Sequence, residues 1–292
     1  MKILLAIITT TLYLTSCSQP AKSTQTIEPE KDSVQRICNV YSGASQSKFK
    51  EGTFAEYICN LTLKPKRHKV HLYNGDLRSW QIPQERVVDI DVDSTGLQQC
   101  ADALIRLYAE YLFANKEYDK IHFCLTNGFD MQYKRWAEGD RVVIKGNSTR
   151  WKVKAAKKDY SHFAFMDYLA IVFKYAGTYS LNKDLKPCNY GKNFASKLKT
   201  GDILIRPADI MKGTLGHAIM FIQRRGDEFI FLQSFTPAQE IEVFSSKYVD
   251  FSYNANVMSV LGYDYVFRLM LGHRFRRYWF TLCSTFLIWQ QN

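Results

Sequence analysis

The chain alternates between stretches with apolar residues at helical spacing and stretches with apolar residues at every second position. Residues 97–113 (LQQCADALIRLYAEYLF) carry one apolar face, with charged residues at i, i+4 spacing on another. Residues 161–177 show the same spacing, begin with the suitable N-cap Ser161 and end on a glycine. A shorter helix is predicted at 53–61.

Three short apolar runs, at 203–205, 218–222 and 229–232, are separated by glycine and proline residues that mark turns. They predict three strands of a small antiparallel sheet or open barrel. Two more strands are predicted upstream, at 70–73 and at 87–92, where apolar residues alternate with aspartates and leave one face exposed to water.

The order of these elements predicts the α+β fold class. An N-terminal α/β portion (residues 35–150) is expected to pack against a helix and a small antiparallel barrel (residues 151–250). No linker rich in proline or glycine separates them, so the two portions are expected to share one core. Residues 251–292 become unusually rich in arginine and aromatic residues, which predicts a divergent tail.

Two polar residues interrupt the apolar strands. His217 opens the second strand and Gln233 closes the third. If the strands pair, an imidazole and an amide can lie side by side. An amide that binds one imidazole nitrogen fixes the tautomer and leaves the other nitrogen for proton transfer. A single histidine on an apolar strand is more often a hydrogen-bonded core residue, so both interpretations stay open.

Cys100 lies in the first turn of the helix predicted at 97–113. The N-terminus of a helix lowers the pKa of a thiol, so this cysteine has a physical argument for reactivity. The same helical spacing also places Cys100 on the buried face. A core cysteine is therefore the alternative interpretation.

The first 17 residues, MKILLAIITTTLYLTSC, combine an early lysine, a short apolar stretch and the sequence LTSC, which matches a bacterial lipobox. They predict a signal peptide at 1–16 and lipidation of Cys17, followed by a polar, flexible tether at 17–34. The protein is then expected to be anchored by lipid in a membrane of the cell envelope, facing the periplasm and most simply at the outer membrane. The alternative is an ordinary secretory signal with an incidental cysteine.

The formal net charge is +11, and basic residues cluster at 64–69, 152–158 and 274–277. For an exported protein, the anionic partners are lipid headgroups or acidic wall polymers, and no nucleic acid is predicted. A solvated basic surface without a particular partner is the alternative.

The cysteines and histidines show no pair or spacing that suits a structural zinc site, so neither a metal nor another cofactor is predicted. Three aspartates, Asp89, Asp91 and Asp93, share one strand face. They could hold a cation only if a turn gathered their oxygens.

The segment from 201 to 236 resembles the barrel half of the NlpC-type papain-like peptidases of bacterial cell walls. The likeness rests on a GD step, a strand, a glycine loop with GHA, a second strand and a third strand that ends in a polar residue. It implies that His217 is the general base and that Gln233 orients it. The helix at 161–177 ends in the expected AG step, which aligns the nucleophile position with Phe165. No cysteine lies within that helix.

A second resemblance covers residues 54–243 and concerns the family of bacterial lipoproteins called domain of unknown function 4846. It is carried, in order, by FAEYICNLTLKP, VHLYNG, LQQCADALIRLYAEYL, IHFCLTNGF, YAGTYSL, GDILI, GHA and QSFTPAQE. The resemblance implies no activity. Cys59 stands where a basic residue is expected, and the motif segments contain Cys100, His217, Gln233, Pro237 and Gln239.

Two hypotheses of function follow. The first is a membrane-anchored envelope lipoprotein whose papain-like domain has lost its standard nucleophile and binds a cell-wall glycan, a peptide or a partner protein. The second is an active cysteine hydrolase or transferase that acts on an amide or ester of the envelope. It requires Cys100 as nucleophile, His217 as base and Gln233 as orienting group.

Overall fold

The structure is a computed structural model. It describes residues 33–34, 49–79, 81, 86–185, 197–208, 211, 215–225 and 228–245, and only the backbone of residues 186–187, 249–250, 259–260 and 287–290. The predicted signal peptide, Cys17 and nearly all of the predicted tether lie outside the described residues, as does most of the predicted tail. The described residues belong to one compact unit.

Five α-helices are present among the described residues, and the three predicted ones are confirmed with bounds that differ by at most three residues. Thr53 and Ser161 cap two of them, because each side-chain oxygen accepts a backbone N–H three residues later. A 3-10 turn lies at Tyr118–Lys120. The helices are α1 (Phe54–Cys59), α2 (Cys100–Ala114), α3 (Tyr133–Ala137), α4 (His162–Tyr175) and α5 (Thr178–Asp184).

Thirteen strands are described, and the three apolar runs of the sequence form β7, β8 and β9. The strands are β1 (Arg86–Val87), β2 (His122–Cys124), β3 (Asp130–Gln132), β4 (Arg141–Lys145), β5 (Ser148–Lys152), β6 (Lys186–Pro187), β7 (Ile203–Arg206), β8 (His217–Arg225), β9 (Glu228–Gln233), β10 (Glu242–Ser245), β11 (Val249–Asp250), β12 (Ser259–Val260) and β13 (Leu287–Gln290).

Seven of these strands form one antiparallel sheet in the order β1-β10-β9-β8-β7-β13-β6. Three separate ribbons pair β2 with β3, β4 with β5 and β11 with β12. The combination of helices and antiparallel sheet confirms the α+β class. The expectation of a small barrel is wrong in one respect, because over the described residues the sheet is open and ends on β1 and β6.

The two upstream strands predicted at 70–73 and 87–92 are largely replaced by isolated backbone bridges. His71 bridges Leu77, Leu72 bridges Gln239, and only the short β1 joins the sheet by pairing with β10. Alternation along a sequence records which side chains are buried. It does not record whether a neighbouring strand continues for more than one residue pair.

Helix α2 packs across β8 and β9. Ala218, Met220 and Leu232 lie on the sheet face that packs against α2, and they share one hydrophobic cluster with it. His217 belongs to the opposite face, because successive side chains of a strand point to opposite faces. The cluster runs from Val34 to Val243, so residues on both sides of position 150 share it. In the part of the chain that the structure describes, no helix has the length and apolar character needed to cross a membrane.

Candidate functional site

His217 and Gln233 are in contact, as the strand pattern predicted. Because Met220 pairs with Leu232 across β8 and β9, the imidazole at the start of β8 reaches the residue that ends β9. The distance from His217 Nε2 to Gln233 Oε1 is 3.3 Å, and both side chains are buried. The Phe235 ring lies beside the imidazole, with 5.2 Å between ring centroids.

A buried ion pair lies behind Gln233. Gln233 Nε2 donates to Glu242 Oε1 over 3.0 Å. The guanidinium of Arg78 then donates to both oxygens of Glu242, over 3.1 Å and 3.0 Å. The side chains of Arg78 and Glu242 are essentially inaccessible to solvent. The four residues therefore form a continuous chain of hydrogen bonds from a guanidinium to an imidazole.

This chain of hydrogen bonds determines the tautomer of His217. A carboxylate paired with a guanidinium has no proton to donate, so the NH₂ group of Gln233 must face Glu242. Its carbonyl oxygen then faces the imidazole and requires a donor at Nε2. In the neutral imidazole, the lone pair is consequently on Nδ1, which is the nitrogen that can accept a proton.

The imidazole is held in its neutral form. Burial lowers the pKa of His217 well below the ordinary 6.5, and the positive charge of Arg206, opposite it on β7, lowers it further. A neutral imidazole with a defined lone pair is the form that acts as a general base.

Cys100 occupies the first turn of α2, where the helix meets β8. The backbone N–H of Ala218, the residue directly after His217, is close enough to the thiol to lower its pKa. The expectation that the helix N-terminus gives this thiol a low pKa is nevertheless wrong. Burial, and then the charge of Asp102, raise the pKa of Cys100 to about 11. The resting thiol is therefore protonated.

Several buried polar groups have unsatisfied hydrogen-bonding capacity within the described structure, and those of Gln98 and Asp102 lie at the start of α2. Burial raises the pKa of Asp102 to about 7, although the backbone N–H of Gln99 donates to its Oδ2 over 3.1 Å. Asp102 Oδ1, Gln98 Nε2 and both polar atoms of the Gln239 amide have no described partner. Thr236 donates to Gln99 Oε1 over 2.9 Å and ties the segment after β9 to the same helix end.

Phe165, which the resemblance aligned with a nucleophile position, packs elsewhere in the core. Its ring stacks on Phe113, with 4.4 Å between centroids, and meets Tyr133 edge-on. Phe113 lies thirteen residues after Cys100 on α2, which is about 20 Å along a helix. Helix α4, which carries Phe165, packs against α2 and α3. The helix N-terminus that meets β8 carries Cys100.

Sequence reasoning missed Arg78, Glu242 and the unsatisfied amide of Gln239. One signal was present, since Glu242 lies inside the apolar alternation of IEVF, where a charged residue requires a buried partner. The three aspartates that could hold a cation only if a turn gathered them do not form such a group among the described residues. Asp91 pairs with Arg106, and Asp93 accepts from Thr95.

Comparison with curated proteins and with solved structures found no significant match. A family model described as a domain of unknown function (4846) matches residues 34–261. Most of the chain, including Cys100, His217, Gln233 and Glu242, lies within that match, and the protein therefore belongs to the domain of unknown function 4846 family.

Proposed function

We propose that the protein is a papain-like cysteine hydrolase or acyl transferase that acts on an amide or ester of the cell envelope. Cys100 is the nucleophile, His217 the general base and Gln233 the group that orients it. The observation that carries this proposal is the meeting of the α2 N-terminus with β8. The thiol lies at the backbone of Ala218, the residue directly after His217, whose Nδ1 holds a lone pair. Because His217 is the first residue of β8 and belongs to the other sheet face, the proposal requires its imidazole to reach around the end of the strand to the sulfur.

In the first step, the Cys100 sulfur attacks the carbonyl carbon of the substrate while its proton passes to His217 Nδ1. The negative charge that develops on the carbonyl oxygen is stabilised by the backbone N–H groups of the first turn of α2. Gln233 accepts from Nε2 throughout and stabilises the imidazolium that forms. The orientation of Gln233 depends in turn on Glu242.

In the second step, the carbon–nitrogen or carbon–oxygen bond breaks, and the leaving group takes the proton from His217. A thioester remains on Cys100. Water, or the amine or hydroxyl of an acceptor, then attacks this thioester after losing a proton to His217. The acyl group is released and the thiol is restored, so protons and bonds balance over the cycle.

Because its pKa is raised, the Cys100 thiol is expected to transfer its proton to His217 while it attacks the substrate. A thiolate–imidazolium pair formed before the attack is disfavoured. Both groups are neutral and buried at rest, because burial raises one pKa and lowers the other. Protonation of Asp102 removes a negative charge that raises the pKa of Cys100, and it therefore favours the Cys100 thiolate. The pKa of the Asp102 carboxyl is about 7. Its protonation state therefore affects reactivity in the neutral range.

The envelope setting is proposed from the sequence. The LTSC sequence ending at Cys17 supports lipidation and anchoring in a membrane, and the basic clusters suit acidic wall polymers or lipid headgroups. Metabolic labelling with a fatty-acid analogue tests the anchor. We expect incorporation in the parent and none in Cys17→Ala. Equal labelling of the two would contradict lipidation at Cys17.

A non-catalytic envelope-binding lipoprotein is the second candidate. One observation favours it: the thiol is buried and has a pKa of about 11, which suits a core cysteine. In that case the unsatisfied polar groups near α2 serve a bound wall glycan or peptide, and no covalent intermediate forms.

Alkylation of individual cysteines separates the two candidates. The full chain is treated with iodoacetamide at neutral pH, and modified peptides are quantified by mass spectrometry. A catalytic pair predicts that Cys100 is alkylated and that His217→Ala slows this by about tenfold or more, as expected on removing a general base. Cys59 is the internal control, because it is a buried thiol on α1 and its rate should not depend on His217.

Hydrolysis of cell-wall peptide fragments and of simple activated esters completes the test. We expect turnover by the parent and none by Cys100→Ala. If His217→Ala leaves alkylation of Cys100 unchanged and the parent releases no product, the hydrolase proposal is wrong and the binding function is favoured. Retention of the same fragments by Cys100→Ala would then identify the ligand class.

A further inference from the structure

A cluster of two histidines and one glutamate lies apart from Cys100 and His217 in sequence and shares no residue with the proposed catalytic group. One nitrogen from each of His68 and His71 and one oxygen of Glu240 lie within 4.8 Å of one another. The distance from His68 Nε2 to Glu240 Oε2 is 2.9 Å, and that from His71 Nδ1 to the same oxygen is 3.4 Å.

Backbone pairing holds the three residues in place. The Glu240 N–H donates to the His71 carbonyl over 3.0 Å, and the His71 N–H donates to Glu240 Oε2 over 2.9 Å. The bridge between Leu72 and Gln239 continues the pairing by one residue. The carboxylate is therefore fixed by main-chain contacts, while both imidazoles approach its Oε2 atom, with 5.0 Å between their ring centroids.

We propose that His68, His71 and Glu240 bind one zinc-class divalent transition-metal ion. Two imidazole nitrogens and one carboxylate oxygen form a ligand set that zinc uses in proteins. Tetrahedral coordination at about 2.0–2.1 Å separates ligand atoms by roughly 3.3–3.4 Å. The distance from His71 Nδ1 to Glu240 Oε2, 3.4 Å, matches this separation, and that from His68 Nε2, 2.9 Å, is shorter and must lengthen when an ion binds. Small rotations of the imidazoles complete the geometry.

The surroundings leave a position for a fourth ligand. The side chains of His68 and His71 are 25% and 36% exposed, so solvent water can reach the ion. Three protein ligands with water in the fourth position form an open site, in contrast to the closed four-ligand sites that only stabilise a fold. The ion also joins the segment at 64–72 to the strand that continues to Glu242.

Lys64 modifies this site. Its Nζ lies 2.5 Å from Glu240 Oε1 and neutralises the second carboxylate oxygen, which leaves Oε2 for the metal. The same ammonium repels a cation electrostatically. Its side chain is partly exposed and can turn towards solvent when the ion binds. Lys64→Ala is accordingly expected to tighten metal binding.

The test uses the full chain with Cys100→Ala, so that zinc cannot bind at that thiol. After removal of metals with a chelator, Zn²⁺ is titrated by calorimetry. We expect one strong site per chain, and about a tenfold or greater loss of affinity in His68→Gln, His71→Ala and Glu240→Gln. His68→Gln keeps an amide that can donate to Glu240, so loss of binding in that variant reports on the metal rather than on folding.

His122→Ala is the matched control, because it removes another exposed histidine that pairs with a carboxylate, that of Asp130. Its affinity for Zn²⁺ should equal that of the parent. Co²⁺ bound at the same site should show no absorption from thiolate-to-metal charge transfer. Less than one equivalent of bound Zn²⁺, or an unchanged affinity in His71→Ala, would overturn the proposal whether or not the hydrolase activity exists.

Discussion

Glu242 fixes the orientation of the Gln233 amide by accepting its N–H over 3.0 Å. The consequence appears at the next member of the hydrogen-bonded chain, His217. The oxygen of the Gln233 amide faces His217 Nε2, which must carry the proton, so the lone pair is on Nδ1. A residue that touches no substrate in the proposed reaction thus determines which nitrogen can act as the base. Arg78 makes this possible by compensating the buried charge of Glu242.

Replacing Glu242 with glutamine is expected to destabilise the protein by about 3–5 kcal/mol, because the buried guanidinium of Arg78 then loses the negative charge of Glu242. The free energy of unfolding in urea measures this loss. Asp119→Asn is the control, since it breaks an exposed pair with Lys134 and should have little effect. Equal losses in the two variants would show that burial of the Arg78–Glu242 pair contributes nothing.

His217 is expected to make the stability of the protein depend on pH below about 6.5. Its folded-state pKa lies well below 6.5, whereas in the unfolded chain it is ordinary. As the pH falls through this range, the unfolded state takes up a proton that the folded state does not bind. Stability is therefore full above about pH 6.5 and declines below it, by at most about 1.4 kcal/mol per pH unit.

The comparison that isolates this effect is between the parent and His217→Gln. Both contain Asp102, so its titration cancels in the difference between the two proteins. We expect the parent to lose stability more steeply than the variant from pH 6.5 downwards, measured by urea unfolding at several pH values. Parallel curves would mean that the imidazole titrates normally in the folded protein.

Asp102→Asn is expected to make the Cys100 thiol more acidic. The charge of Asp102 is the second cause, after burial, that raises the thiol pKa to about 11. The asparagine oxygen can still accept the Gln99 N–H, so the start of α2 should be preserved. Each unit by which the pKa falls raises the thiolate fraction tenfold at a given pH. The rate of alkylation of Cys100 between pH 8 and 10 measures this change.

The same substitution is expected to stabilise the protein above pH 7. The pKa of Asp102 is about 7 when folded and ordinarily 3.8. The contribution of this group to stability is thus present below about pH 3.8 and is lost as the pH rises to 7. An asparagine carries no charge to desolvate. A variant that is less stable than the parent at pH 8 would contradict this account of Asp102.

The local pattern of apolar residues located the helices and strands of this fold more accurately than it identified which elements pack together. The spacing of apolar residues located α2, α4 and the strands β7 to β9, and the alternation of side chains brought His217 to Gln233. The pattern gives each helix an apolar face without identifying the surface that the face covers. For this reason the resemblance of the 161–177 helix to the NlpC-type helix assigned the nucleophile position to Phe165. In the structure, α2 rather than that helix packs across β8.

The remaining parts of the site depend on contacts between distant residues. Arg78 and Glu242 are separated by 164 positions in the sequence. No local rule joins them. The pKa of Cys100 illustrates the same point, since the position in a helix predicted a lower value and burial, which depends on the whole fold, reversed it.

Gln239→Met is expected to leave stability unchanged or to raise it by as much as about 1–3 kcal/mol, the cost of a buried polar group without partners. Gln239 is fully buried, and neither atom of its amide has a described partner. Gln233→Met is the matched control, because that buried amide has a partner at both atoms and its loss should destabilise. Thermal unfolding of the two variants distinguishes them. Comparable losses would show that the Gln239 amide is satisfied in solution.

Gly216→Ala is expected to destabilise the protein by about 1–3 kcal/mol, as overpacking does in a well-packed region. A Cβ at this position would come within 1.9 Å of Thr178 Oγ1 and within 2.6 Å of the Ala208 backbone nitrogen. Thr178 already accepts the Ala208 N–H there, so the crowding falls directly before His217.

Gly177→Ala is the control for this last prediction. Gly177 has an extended backbone, and a Cβ added to it would meet no atom within 4 Å. The control should therefore unfold at nearly the same temperature as the parent, while Gly216→Ala unfolds earlier. If both variants unfold at the same temperature as the parent, Thr178 and Ala208 can move aside for a methyl group at position 216, and the predicted overpacking is absent. The register of His217 against Gln233 would then depend on the strands alone.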